Sequence, residues 1–216
     1  MTSTPAVLVL AGGRSSRFGS EKALHLWCGK PLIMHVLQAL QEGIDPHHWA
    51  VALGDLHART HLVQLLSSHP SPLRLLADPA DLQGPLAGLA AGLHDALNHT
   101  WLLACACDMP ALAPQLLAGL VTLAQDHPGD AVVPQVSDRY EPLCALYRPQ
   151  PCLRALKHYA STQRRSLQGW VATLNNVLVV TPTLLQSMEP NWQRSLANIN
   201  RLDDLQRLGD PATTLP

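Results

Sequence analysis

Continuous apolar runs alternate along this chain with stretches in which apolar positions recur at helical spacing. The runs Ala6–Leu10, Trp49–Leu53, Leu73–Ala77, Trp101–Cys105, Ala131–Pro134, Leu143–Tyr147 and Val177–Val180 predict strands. The helical spacing predicts helices over Pro31–Gln41, Leu56–Ser68, Pro85–Leu97, Pro114–Gln125, Pro151–Tyr159, Arg164–Leu174 and Thr183–Met188, with a last short one over Asp203–Leu208. Pro31, Pro85, Pro114 and Pro151 open four of them. A proline fits there because its missing N–H is one the helix leaves unbonded anyway. Alternation of strand and helix predicts an α/β fold, a mostly parallel sheet covered by helices on both faces. The first strands are apolar at every position, as strands covered on two sides are.

Length and composition narrow this to one domain. The 216 residues are 47% hydrophobic, enough for a single substantial core over residues 1–208, with residues 209–216 expected as a frayed tail. The net charge is -1, from 15 basic and 16 acidic residues, so no basic field invites nucleic acid. The longest uncharged stretch, Met109 to Gln125, is broken by Pro110 and Pro114, and no membrane span is expected. Cys28, Cys105, Cys107, Cys144 and Cys152 are odd in number and lack C-x-x-C spacing, and the N-terminus has no basic leader. Both features suggest reduced thiols in the cytoplasm. Cys105 and Cys107 share a strand face, as a metal pair or as core packing. The eleven histidines show no metal-binding arrangement.

The candidate chemistry begins after the first strand. Gly12-Gly13-Arg14-Ser15-Ser16-Arg17-Phe18-Gly19-Ser20-Glu21-Lys22 is a glycine-rich loop carrying three cations, between a strand and a helix. Glycines let backbone N–H groups close on phosphate oxygens, and the cations offset their charge, so the loop suits a polyphosphate. It is neither a P-loop, because Lys22 stands three residues beyond Gly19, nor a G-x-G-x-x-G dinucleotide loop. An ordinary turn with solvated cations has the same composition; the flanking strand and helix favour phosphate.

Ligands of such sheets lie beyond the carboxyl ends of the strands. Two further segments fall there: Asp78 with Gly84-Pro85-Leu86-Ala87-Gly88, and Cys107-Asp108-Met109-Pro110. Gly84-Pro85 is a turn into a helix N-terminus, whereas Gly88 and Gly92 read first as close helix–sheet packing. Asp108 ends an apolar strand, where a carboxylate is costly unless paired. Mg²⁺, which takes one or two carboxylates with phosphate oxygens and waters, is a natural partner; capping the next turn is the bland alternative. Asn198-Ile199-Asn200 places two amides on one strand-like face, and Arg164-Arg165 opens a helical stretch where an anion would be welcome.

Taken in order, these motifs resemble the molybdenum cofactor guanylyltransferases. The matching pieces are Leu10-Ala11-Gly12-Gly13, Arg17-Phe18-Gly19, Lys22, Gly29-Lys30-Pro31-Leu32, Asp78, Gly84-Pro85-Leu86-Ala87-Gly88 and Cys107-Asp108-Met109-Pro110. Glu141-Pro142-Leu143, Ala145-Leu146-Tyr147, Asn198-Ile199-Asn200 and Asp203-Asp204-Leu205 complete the set, from about Val7 to Leu208. The opening signature is shared with cytidylyl and sugar-phosphate nucleotidyltransferases, and a non-catalytic nucleotide binder of the same fold is a further alternative. The resemblance implies a Rossmann-like nucleotidyltransferase fold. The implied reaction is transfer of GMP from GTP to Mo-molybdopterin with release of pyrophosphate, dependent on Mg²⁺ at Asp108.

It further implies that Arg17 and Lys22 stabilise the transition state and that Leu10, Ala11, Gly12 and Gly13 hold base and ribose. Asp78 and Gly84 would complete the guanine nucleotide site. Arg164, Arg165, Asn198 and Asn200 would serve the acceptor, and transient partners would be cofactor insertion or acceptor proteins. Gly12, where cytidylyl relatives tend to carry alanine, would leave room for a purine. The asparagine that many members carry after the second long strand is replaced here by Gly54-Asp55.

Overall fold

The computed structural model describes residues 4–12 and 21–209. The elements run β1 (Ala6–Leu10), β2 (Leu26–Trp27), β3 (Lys30–Pro31), α1 (Leu32–Gly43), β4 (Trp49–Gly54), α2 (Thr60–Ser67), β5 (Leu73–Ala77), α3 (Pro85–Asp95), β6 (Leu102–Ala106) and α4 (Pro114–Gln125). They continue with β7 (Ala131–Val136), β8 (Arg139–Tyr140), β9 (Cys144–Tyr147), α5 (Pro149–Ser161), α6 (Leu167–Val171), β10 (Val177–Val180), α7 (Pro182–Met188), α8 (Trp192–Ser195) and α9 (Leu202–Leu208). Short 3-10 turns cover Lys22–Leu24 and His57–Arg59.

The main sheet has the order β10-β7-β9-β6-β1-β4-β5, with β8 paired to β7; β2 and β3 form a separate hairpin. β1 is parallel to both β4 and β6, β4 to β5, and β10 to β7. β9 runs against both of its neighbours. The chain leaves β1 towards β4 and β5, then returns to the other side of β1 as β6. The crevice between the carboxyl ends of β1 and β6 is therefore the point where the winding reverses.

Alternation within strands divides the core in two. Val7 and Val9 pack with Ile33, Leu37 and Leu40 of α1, Leu62 of α2 and Leu117 and Leu120 of α4. Ala6, Leu8 and Leu10 face the other way, against Leu86, Leu89 and Leu93 of α3, Leu156 of α5 and Trp170 of α6. Every residue of β1 is buried, which is what its unbroken apolar run required. Helices thus cover both faces of a mostly parallel sheet, as the pattern predicts.

Several boundaries differ from those expected, each for a local reason. The helix expected from Arg164 to Leu174 spans only Leu167–Val171, because the Ser166 side chain caps it by accepting from Gly169 N at 3.3 Å. Arg164 and Arg165 thus precede the helix. The stretch Leu56–Ser68 divides into a 3-10 turn and α2. α5 starts at Pro149, two residues before the expected Pro151, which stands third in its first turn. Gly92 of α3 faces Leu8 of β1 so closely that any side chain there would collide, and Gly88 has Ala52 and Leu10 as neighbours. Both glycines bring α3 onto the sheet. Cys105, Cys107 and Cys144 are buried in one core cluster, so the paired spacing of the first two is core packing.

Candidate active site

At the point of reversal, the hydrogen bonding of the sheet continues past the strand ends. Ala11 N donates to Ala52 O at 2.8 Å, and Cys107 N to Leu10 O at 3.0 Å. Ala11 and Cys107 are thereby rigid, and the residues that follow them, Gly12 and Asp108, leave the sheet side by side. Gly13 and Arg17 lie outside the described residues.

Lys22 returns to this edge on its 3-10 turn, and its ammonium forms an ion pair with Asp108 Oδ2. The two side chains are 16% and 17% exposed, so the pair sits at the floor of the crevice. Asp108 Oδ1 is buried and has no hydrogen-bond partner among the described residues. An orphaned carboxylate oxygen is expensive to keep dry, and a cation is what would satisfy it. No three His, Cys, Asp or Glu side chains among the described residues come together as a metal cage. An ion at Asp108 would therefore draw its remaining ligands from a bound phosphate and water, which is how Mg²⁺ is commonly held. Cys107 next to it is a spectator: burial, reinforced by the Asp108 charge, pushes its thiol up to about 12.

Asp78 follows β5 and its N–H donates to Gly54 O at 3.0 Å. Its Oδ1 is buried without a hydrogen-bond partner among the described residues, and burial raises the carboxyl above its ordinary value despite the opposing charge of Arg59. Gly84, the N-cap of α3, has φ 69°, a left-handed conformation suited to glycine, and a Cβ placed there meets nothing within 4 Å. Among the described residues this helix start is therefore open, and one turn on, the Cβ position of Gly88 lies 3.5 Å from Asp78 Oδ1. Arg165 reaches the same segment, donating from Nη1 to Gln83 Oε1 at 2.7 Å, while Arg164 lies 6.0 Å from the Tyr159 ring centre.

One expectation is corrected. A methyl group at Gly12 would meet Gly54 N at 3.0 Å and Leu53 C at 3.3 Å. Gly12 thus makes room for the backbone of β4, and not for a purine. Gly54 reciprocates at φ 77°, with its own Cβ position 3.3 Å from Gly12 O. Asp55, the neighbour of Gly54, is spent on local structure, accepting from His57 N at 2.9 Å and Ala58 N at 3.4 Å.

Two residues at this edge carried no assigned role in the sequence. Arg59 donates to Gly12 O at 2.9 Å and to Glu21 Oε1 at 3.2 Å, joining the start and the end of the glycine-rich segment. Nothing local announces it, since its partners stand 38 and 47 positions away. Glu141 is the second. Because β9 is antiparallel, the residues before it, and not after it, arrive at the carboxyl edge of the sheet. Glu141 accepts from Asn198 Nδ2 at 3.0 Å and Leu143 N at 3.3 Å. Burial raises its carboxyl above the ordinary value, with the nearby Asp108 charge acting in the same direction. The recognisable signal was a carboxylate heading the apolar run Leu143–Tyr147, much as Asp108 ends another.

Asn198 is thus brought to the site, and Ile199 N donates to Asp108 O at 2.9 Å. Asn200 is exposed, and its N–H donates to Asp204 Oδ2 at 2.8 Å, within the start of α9. The structure therefore gathers Lys22, Asp108, Glu141 and Asn198 at one end of the crevice and Gly12, Asp78 and Gly84 at the other.

Residues 7–177 match the family profile of the MobA-like NTP transferase domain. The probable molybdenum cofactor guanylyltransferase of Chloroflexus aggregans is 35% identical over 92% of this chain and 90% of its own length. The molybdenum cofactor guanylyltransferase of Pseudomonas putida is 34% identical over 93% and 95%. The crystal structure of molybdopterin-guanine dinucleotide biosynthesis protein A from Archaeoglobus fulgidus superposes with a TM-score of 0.78 at 27% identity, covering 97% of this chain and all of that one. A crevice built at the reversal of a parallel sheet, and relatives matched along nearly its whole length, lead to one conclusion: this chain is a nucleotidyltransferase and belongs to the molybdenum cofactor guanylyltransferase family.

Proposed function

We propose that the crevice transfers GMP from GTP to the terminal phosphate of Mo-molybdopterin. A phosphate oxygen of the acceptor forms the new bond to the α-phosphorus of GTP, the bond from that phosphorus to the bridging oxygen of the β-phosphate breaks, and pyrophosphate leaves. The observation that carries this reading is the Lys22–Asp108 pair at the sheet reversal, with one carboxylate oxygen committed and the other buried without a hydrogen-bond partner among the described residues.

The chemistry demands positioning and charge neutralisation more than acid–base work, since a phosphate nucleophile is already anionic near neutral pH. Lys22, with Arg17, neutralises the triphosphate and the departing pyrophosphate. Leu10, Ala11, Gly12 and Gly13 supply backbone to the nucleoside. Asp78 and the open helix start at Gly84 complete that pocket, and a carboxylate there suits the donor edge of guanine. Asp108 holds Mg²⁺ in this reading, and the ion supplies Lewis-acid stabilisation of the α-phosphate. Arg164 and Arg165, the latter already anchored beside Gly84, take the acceptor phosphate. Asn198 and Asn200 lie near the metal and the acceptor in this reading.

Among the described residues no helix is long and apolar enough to cross a membrane. Four of the five cysteines are buried, which fits a reducing cytoplasm. Handover of product implies transient contact with cofactor insertion or acceptor proteins. The test is pyrophosphate release with each nucleoside triphosphate, with and without Mo-molybdopterin. Release with GTP that requires both Mg²⁺ and the acceptor is expected; release with CTP in its place overturns the reading.

A further inference from the structure

We propose that Glu141 is a positioning residue: it fixes the amide of Asn198 so that the carbonyl oxygen, and not the NH2 group, is offered to the cation end of the crevice. The inference rests on Asp108 marking that end. An ionised carboxylate only accepts hydrogen bonds, so the group it holds must donate. Asn198 Nδ2 donates to one oxygen of Glu141 at 3.0 Å. The reversed amide would set two oxygens face to face.

Glu141 is itself immobilised. Its side chain accepts from Leu143 N at 3.3 Å, its own N–H donates to Pro134 O at 2.8 Å, and its carbonyl accepts from Cys144 N at 3.3 Å. Asn198 is held from the other side, because the following N–H, that of Ile199, donates to Asp108 O at 2.9 Å. One strand-like segment therefore ties the backbone of Asp108 to the side chain of Glu141 through Asn198. With its Nδ2 turned towards Glu141, Asn198 presents Oδ1 on the other side, which attracts a hard cation or its water and repels a phosphate oxygen. Asn198 thus belongs with the cation and not with the acceptor phosphate. Asn200 lacks any such carboxylate clamp on its amide among the described contacts of this crevice.

Mn²⁺, an oxygen-seeking probe visible by electron paramagnetic resonance, gives a readout independent of turnover. Mn²⁺ would be titrated into the full chain with guanosine 5′-[α,β-methylene]triphosphate bound. In Glu141→Gln the new amide can donate to Asn198 Oδ1 and turn it away. Mn²⁺ affinity is expected to fall about 10- to 100-fold, the range found when a residue orienting a metal ligand is changed. Metal-free binding of the analogue should be unchanged. Glu141→Asp keeps the charge but not the reach, and should show the same loss; it also covers the case of a Gln variant that fails to fold. The double variant Glu141→Gln/Asn198→Ala should bind Mn²⁺ no more weakly than Asn198→Ala alone, because the glutamate acts through the amide. Wild-type affinity in both Glu141 variants, or additive losses in the double variant, overturns the proposal alone. A wild-type chain that binds no Mn²⁺ overturns the reading of Asp108 as well.

Discussion

Asp108 and Asp78 are both carboxylates at strand ends with a buried oxygen that has no hydrogen-bond partner among the described residues, yet their surroundings assign them different work. Asp108 has a cation on its second oxygen, so it is prepared for a compact, highly charged ligand. Asp78 sits under glycines, with Arg59 as an opposing charge, and burial dominates. Its folded-state carboxyl therefore titrates above the unfolded value of 3.8, and the ionised form costs stability. That cost is full above the folded value, fades as the pH falls through it, and is gone where both states are protonated. Asp78→Asn is accordingly expected to raise the melting temperature at neutral pH, by an increment that vanishes towards acid, while weakening GTP binding. Thermal scans across pH, paired with calorimetric titration of GTP, check both; a lower melting temperature at neutral pH would contradict the assignment. Lys22→Ala removes the cation paired with Asp108 and is expected to cost about 10²–10³-fold in turnover, the scale of losing one transition-state donor. Single-turnover pyrophosphate release measures it.

At the scale of elements, the junction of β1 and β4 is a glycine-on-glycine contact. Gly12→Ala is expected to push on the Gly54 backbone and destabilise the chain by about 1–3 kcal/mol, as overpacking does. Denaturant unfolding measures the loss, and the ratio of GTP to CTP use should not move. This prediction reverses the one the sequence invites, since a missing methyl group reads the same whether it makes room for a ligand or for a neighbouring strand. The strands themselves were legible: β1 matches its apolar run residue for residue, because burial on two faces leaves an unbroken signature. The β2–β3 hairpin was not, since two-residue strands show no period and its turn is Cys28-Gly29 at φ 49° and 74°. Strand direction was also hidden. Side-chain alternation reports which face a residue takes, not which way the strand runs. Missing the antiparallel course of β9 is what kept Glu141 out of the expected site.

Across the whole molecule, the two cores account for the thiols. Cys105, Cys107, Cys144 and Cys152 are buried and Cys28 is exposed. Burial holds Cys107 at about 12 and raises Cys152, and the hydrogen bond with Cys105 together with burial raises Cys144, so these thiols stay protonated and hidden. A thiol-specific reagent should therefore label one cysteine quickly in the native chain and five after denaturation; fast labelling of a second would mean that a core opens. The crevice is also spread unevenly along the chain. Gly12, Lys22, Asp78, Gly84 and Asp108 come from the first half, whereas Glu141 and Asn198 come from the second. The inserted antiparallel strand β9 links the halves, pairing Cys144 with Cys105 and setting Glu141 beside the Asp108 end. During synthesis on the ribosome, a nascent chain that has reached α4 already contains the strands β5-β4-β1-β6 and the whole nucleotide end. It lacks Glu141 and Asn198 of the cation end until Asn198 has emerged. The order of translation thus separates nucleotide capture from catalytic competence, so that an unfinished chain is not expected to turn over GTP.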